Sequence, residues 1–218
     1  MNTFFLDRLN SEPHALAFAG QSTPWPVALA DQSANPALDE ALHTHAAAAQ
    51  ALLYPVSAEL LATTGRPVDL FGFEPNPARL GAAAAASASV PGIALTQLGA
   101  LLDAAALGYN PAQAKPVAVL GHSQGVLAVH MVQAICEAGS IDAAAAKIDE
   151  ILAIATLIGV AGTRQARQLG LAARHGEATP MLSVKDITRA QVDALIERVD
   201  VARGPIAVAV TNSATHYV

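Results

Sequence analysis

The sequence predicts an α/β protein, and three observations carry that prediction. An apolar run of strand length, "PVAVLG" (116–121), leads through Gly121-His122-Ser123-Gln124-Gly125 into an amphipathic stretch. An earlier apolar segment, Ala15 to Ala19, reads as a short buried strand that ends in a Gly-Gln loop. From about residue 179 the text changes from alanine-rich helix to strand, helix and strand again. Strands interleaved with helical patterns are the mark of this class.

Composition narrows the field. Apolar residues make up 53% of the 218 and aromatics only 4%, so small-residue helices dominate a core of globular size. The net charge is −6 and no basic run exceeds two residues. That argues against a nucleic-acid partner, because phosphate binding needs concentrated positive charge. The single cysteine, Cys136, leaves no internal disulfide and no cysteine-based metal cluster, which fits a reducing compartment. "MNTFFLDRLNSEPH" lacks the apolar core of a signal peptide, and "ILAIATLIGVAG" (151–162) is too short to span a bilayer. The expectation is a soluble, cytoplasmic chain with no membrane partner.

The elements follow in order. Alanine-rich helix is expected from about Asn35 to Thr63, interrupted at Pro55. "FGFEPNPARLGAAAAASASVPG" (71–92) carries three prolines and three glycines, so it reads as a loop with a turn or two of helix in its alanine run. Leu95, Leu98, Leu101, Leu102 and Ala105 recur at helical spacing within a helix over 93–109. After the strand at 116–121, Leu127, Met131 and Ile135 stand four apart in a helix that Gly139 would cap. A further helix covers about 142–168. Near the end, Thr188 and Gln191 fit a capping box that starts a helix, and 206–218 reads as one strand with no partner for its sheet.

Strand, Gly-x-Ser-x-Gly, helix is the context of a nucleophile elbow. The glycines at 121 and 125 let the chain turn sharply and present Ser123. The helix beyond aims its N–H groups and positive dipole end at charge developing beside that serine. The Gln124 amide is the natural oxyanion donor, and His122 is a candidate lining residue. The competing reading is a tight strand–helix turn that happens to hold a serine.

A serine nucleophile needs a base, and none of the seven histidines stands out. His122 adjoins Ser123 but would point away from it. His130 reads as partly buried and structural, and His14, His43 and His45 as surface residues. His175 lies in a loop, and His216 lies on the last strand.

"GHSQGVLAV" closely resembles the nucleophile motif of the acyltransferase domain in type I fatty acid synthases, particularly the single-chain synthases of actinobacteria. "AFAGQSTPW", "GFEP", "SVPGIALTQLGAL", "LIGVAGTRQARQLG", "PMLSVKDITRAQVDALI" and "VTNSATHYV" have counterparts in the same order. The resemblance implies an α/β-hydrolase-like acyltransferase core over 1–178 and the start of an inserted ferredoxin-like subdomain over 179–218. It makes Ser123 the acyl-accepting nucleophile and brings Gln21, in the Gly-Gln loop, beside Gln124 at the oxyanion. In that family the catalytic histidine follows the inserted subdomain, so the base is expected beyond residue 218 of a longer polypeptide.

Malonyl-selective members of that family hold the substrate carboxylate with an arginine on the second helix after the nucleophile, a pairing that planar guanidinium suits. Here that position reads "LIGVAG", with Arg164 and Arg167 further along at the helix's solvated end. A small apolar pocket suits acetyl and would leave a malonyl carboxylate unpaired. The resemblance therefore implies acetyl transfer from acetyl-CoA to the phosphopantetheine of an acyl carrier domain, with no bound cofactor or metal. The setting would be a large homo-oligomeric synthase, hexameric by resemblance. Malonyl or palmitoyl transfer, a serine hydrolase sharing the elbow, and a non-catalytic structural segment are the alternatives.

Overall fold

The computed structural model describes residues 3–20, 25–64, 82–168, 183–199, 206–208 and 211–217. Two asparagine–proline pairs open helices in the same way. Asn35 accepts a hydrogen bond from the Ala37 amide (3.2 Å) at the start of α3, Pro36–Leu53. Asn110 accepts from Ala112 (3.0 Å) at the start of α6, Pro111–Ala114. In each case proline takes the first helical position, where its missing N–H costs nothing. A 3-10 turn over Tyr54–Val56 joins α3 to α4, Ser57–Thr64, so the break expected at Pro55 is a change of helix type and not a loop.

The longest helix, α5, runs Ala82–Ala106 straight through Pro91. The loop expected up to residue 92 therefore ends at least ten residues earlier, while the helical reading of the alanine run holds. A proline removes one hydrogen bond from a helix. Packing offsets that loss, because Val90, Ile93, Ala94, Leu95 and Leu98 are all buried. Over Ala86–Ala106 this helix is long and apolar enough to cross a bilayer, unlike the shorter apolar stretch at 151–162. Here it is the central core helix, packed against α2 (Trp25–Ser33), α3, α7 (Gly125–Ala138) and α8 (Ala145–Gln168).

After α1, Thr3–Ser11, the chain enters β1, Ala15–Phe18, which pairs in parallel with β2, Ala118–Gly121, in the register Ala15 to Ala118 and Phe18 to Gly121. Two further bonds extend the ladder, from Val117 N to His14 O (2.9 Å) and from His122 N to Phe18 O (3.0 Å). Parallel strands need a long crossover, and here it comprises α2 to α6. The side chain of Asn110 also donates to Gly139 O (2.9 Å), tying the approach to β2 to the end of α7. Gly139 caps α7 at φ 89, in the left-handed conformation expected of it.

A second sheet begins with β3, Val184–Lys185, followed by α9, Arg189–Arg198. Thr188 and Gln191 form the reciprocal capping box. The last segment is not one strand. Thr211–Ser213 (β4) and His216–Tyr217 (β5) form a tight irregular hairpin around Ala214 and Thr215. The unpartnered sheet expected here does have a partner, since β5 pairs antiparallel with both β3 and β4. A turn at Ala214 and Thr215, just after Asn212 and Ser213, breaks what looked like a continuous strand.

Candidate functional site

Ser123 stands between the end of β2 and the start of α7, with φ 54. Few non-glycine residues adopt left-handed backbone, and when one does at a strand–helix junction the strain is a pointer to function. The surrounding glycines explain how the turn fits. A Cβ on Gly121 would lie 2.6 Å from the amide of Val126, and one on Gly125 would lie 2.8 Å from the carbonyl carbon of Phe18. Either methyl would push β1, β2 and α7 apart. The turn is closed by bonds from Gly125 N to His122 O (2.9 Å) and from Val126 N to Ser123 O (3.2 Å).

Gly20 completes the enclosure. A Cβ there would fall 2.7 Å from the Ser123 Cβ and 3.4 Å from the Gln124 amide nitrogen. The chain that leads out of β1 thus passes directly against the serine. Gln21 lies outside the described residues. Gln124 begins the turn into α7, and among the described residues its side chain makes no cap bond and its buried Oε1 has no partner. Among the described residues its backbone N–H makes no hydrogen bond, so it remains available to an incoming oxygen. His122 is exposed. What the sequence singled out at 121–125 is brought together with Gly20, and an exposed serine faces outward from a helix N-terminus. That arrangement can receive an acyl group and hold the oxyanion formed on the way.

The histidines sort differently from expectation. Among the described residues none hydrogen-bonds Ser123. His130 is exposed rather than partly buried, on the face of α7 that looks away from the core. His45 is not a surface residue: its side chain is 12% exposed and pairs with Asp149 at 2.6 Å, joining α3 to α8. His14, half-buried, meets the Tyr109 hydroxyl at 2.8 Å in an edge-on ring contact. His216 meets Ser183 Oγ at 2.9 Å in the second sheet. His175 lies outside the described residues. His45 and His14 looked like surface residues because their partners stand 104 and 95 residues away, beyond the reach of local pattern.

A groove of about 480 Å³ opens one turn beyond the elbow, between α7 and α8. Val126, Ile151, Ile154 and Ile158 form its apolar wall, with His130 and Lys147 among its polar members. Arg164 is exposed and paired with Glu59 of α4 at 2.9 Å, as its outer-end position suggested; it does not line this groove. Gln97 of α5 is a neighbour of the site that the sequence did not single out. It is 7% exposed and donates to Ala19 O at 2.6 Å, immediately before Gly20. A lone glutamine amid the apolar positions of α5 was the available signal.

A serine with left-handed backbone at the head of a helix, packed against glycine backbone, is a geometry that nucleophilic serine chemistry can use. The family model described as SAT, starter unit:ACP transacylase in aflatoxin biosynthesis, matches residues 74–216, well over half of the chain. The chain belongs to this family of acyltransferase domains, which act on an acyl carrier protein. No curated protein matches the chain.

Proposed function

We propose that this chain carries the nucleophile and oxyanion side of a priming acetyltransferase in a multifunctional, cytoplasmic fatty acid synthase. Acetyl-CoA acylates Ser123: the hydroxyl oxygen attacks the thioester carbon, the C–S bond breaks, and CoA leaves as the thiol. The phosphopantetheine thiol of a carrier domain then takes the acetyl group, restoring the serine. The amides of Gln124 and Gln21 hold the oxyanion in both steps, and His122 borders the approach. No resident cofactor or metal takes part.

The observation that carries this reading is Ser123 at φ 54, held by Gly20, Gly121 and Gly125 at the head of α7. The parallel β1–β2 pair beneath crossover helices is consistent with an α/β-hydrolase-like core, and the antiparallel sheet after residue 183 with the start of a ferredoxin-like subdomain. The groove holds no arginine for a bidentate grip on a malonyl carboxylate, and its one lysine, Lys147, is already paired with Glu150 at 2.7 Å, which favours a neutral acyl group. One observation favours a second reading. The groove is larger than acetyl requires, so a longer apolar starter group is the alternative.

The test is to incubate the full-length protein with radiolabelled acetyl-CoA, malonyl-CoA or a medium-chain acyl-CoA, quench, and locate the label by peptide mass spectrometry. Acetyl on the Ser123 peptide, lost in Ser123→Ala, supports the priming reading. Medium-chain label alone would move the assignment to the longer starter, and malonyl label alone would reverse the argument about charge. No label on Ser123 from any donor would favour a structural role.

A further inference from the structure

We propose that Gln97 is a positioning residue for the oxyanion side of the site, acting through the Ala19–Gly20 peptide; this rests on the acyl-transfer reading of Ser123. The two carbonyls at the end of β1 are held by different elements. Phe18 O accepts from the backbone of His122 at 3.0 Å, fastening β1 to the elbow. Ala19 O accepts from Gln97 Nε2 at 2.6 Å, fastening the next peptide to α5. A Cβ on Gly125 would lie 3.0 Å from Ala19 O, so this oxygen is fenced between the head of α7 and the glutamine.

A peptide unit is planar, so fixing the Ala19 oxygen also fixes the direction of the Gly20 N–H. Gly20 in turn abuts Ser123 and the Gln124 amide. One hydrogen bond from α5 thus holds the peptide that packs against Ser123 and the Gln124 amide. The remaining chemistry of Gln97 points the same way. Among the described residues its Oε1 is buried without a partner, in a residue only 7% exposed. A leucine or methionine would fill this space without an unmatched carbonyl. What glutamine adds is the donor, and the donor goes to Ala19.

The test compares wild type with Gln97→Met, which keeps length and loses the donor, in the full-length protein. Donor misplacement acts on the transition state, so the acylation kcat should fall about 30-fold with KM within about twofold. Affinity for a trifluoromethyl ketone analogue of acetyl-CoA, which forms a tetrahedral adduct, should fall in parallel, while affinity for CoA stays unchanged. A purely structural role would instead weaken both ligands together. Gln97→Glu, whose carboxylate opposes the Ala19 carbonyl, provides the same measurement should the methionine variant not fold. Wild-type values in either variant, or equal losses for the ketone and CoA, would overturn the assignment of Gln97 alone. Absence of any label on wild-type Ser123 would overturn the transfer reading, and this assignment with it.

Discussion

Ser123 is one of three described non-glycine residues with positive φ, the others being Lys115 and Asp186. Lys115 closes α6 as its C-cap, and Asp186 follows β3, positions where a polar residue commonly tolerates a left-handed turn. Ser123 differs because a strand enters it and a helix leaves it. Glycine would relieve the strain, so Ser123→Gly should raise unfolding stability by about 1 kcal/mol while abolishing the acyl-enzyme. Chemical denaturation reads the first effect and mass spectrometry the second. A midpoint below wild type would show that the serine side chain contributes packing or hydrogen bonds that outweigh the strain. The elbow was legible in the sequence for the same reason that it is strained. Only glycine fits at 121 and 125, and the two glycines announce the turn. The role of Gln97 was not legible, because its partner is a backbone carbonyl 78 residues away.

At the scale of elements, the helices read well where apolar spacing decided them and poorly where a single residue type was given too much weight. Leu95, Leu98 and Leu101 are buried as their spacing required, as are Leu127, Met131 and Ile135. Pro91 suggested a boundary that α5 does not have, since burial on several sides outweighs one lost hydrogen bond. The pairing of helices depends on contacts that no local pattern encodes. His45 and Asp149 form such a contact, with side chains only 12% and 15% exposed. Removing either partner leaves a buried polar group unmatched, so Asp149→Ala should cost about 2 kcal/mol. The double variant with His45→Ala should cost less than the sum of the singles, which a denaturation cycle measures. Additive losses would mean that the pair is not coupled in solution.

A second inter-element tie, between His14 at the edge of β1 and Tyr109 after α5, gives a pH prediction. Burial, and secondarily the charge on Cys136, pushes the Tyr109 hydroxyl above its ordinary value of 10.0. A raised folded pKa contributes stability that is fully present below the unfolded value and is lost as pH rises through the folded one. The fold should therefore lose stability above about pH 10, where unfolded tyrosine ionises first. Tyr109→Phe should flatten that alkaline loss while lowering stability at neutral pH, because the 2.8 Å bond to His14 is gone. Thermal melts from neutral to alkaline pH separate the two effects. An unchanged alkaline slope would assign the loss to other groups.

Across the whole molecule, the proposed acyl preference turns on the relation between the elbow and the face that α7 and α8 present to solvent. Val126, Ile154 and Ile158 are 46%, 48% and 49% exposed, large apolar groups left in the open along one groove. Val126 is the groove residue nearest Ser123 in sequence, three residues on, and a substitution in α8 tests whether an acyl chain on the serine reaches this groove. Acetyl transfer needs only the mouth, whereas a longer starter group would bury its tail against the isoleucines, at about 0.8 kcal/mol for each methylene removed from water. Ile158→Trp, which fills the groove from α8, should then leave acetyl transfer within about twofold. It should lower kcat/KM for a medium-chain acyl-CoA by about tenfold, the equivalent of burying two fewer methylenes. Steady-state rates with both donors, measured on the same preparation, give the ratio directly. If both donors lose equally, the tryptophan has disturbed the elbow. If neither changes, the acyl pocket lies elsewhere and the exposed isoleucines serve packing.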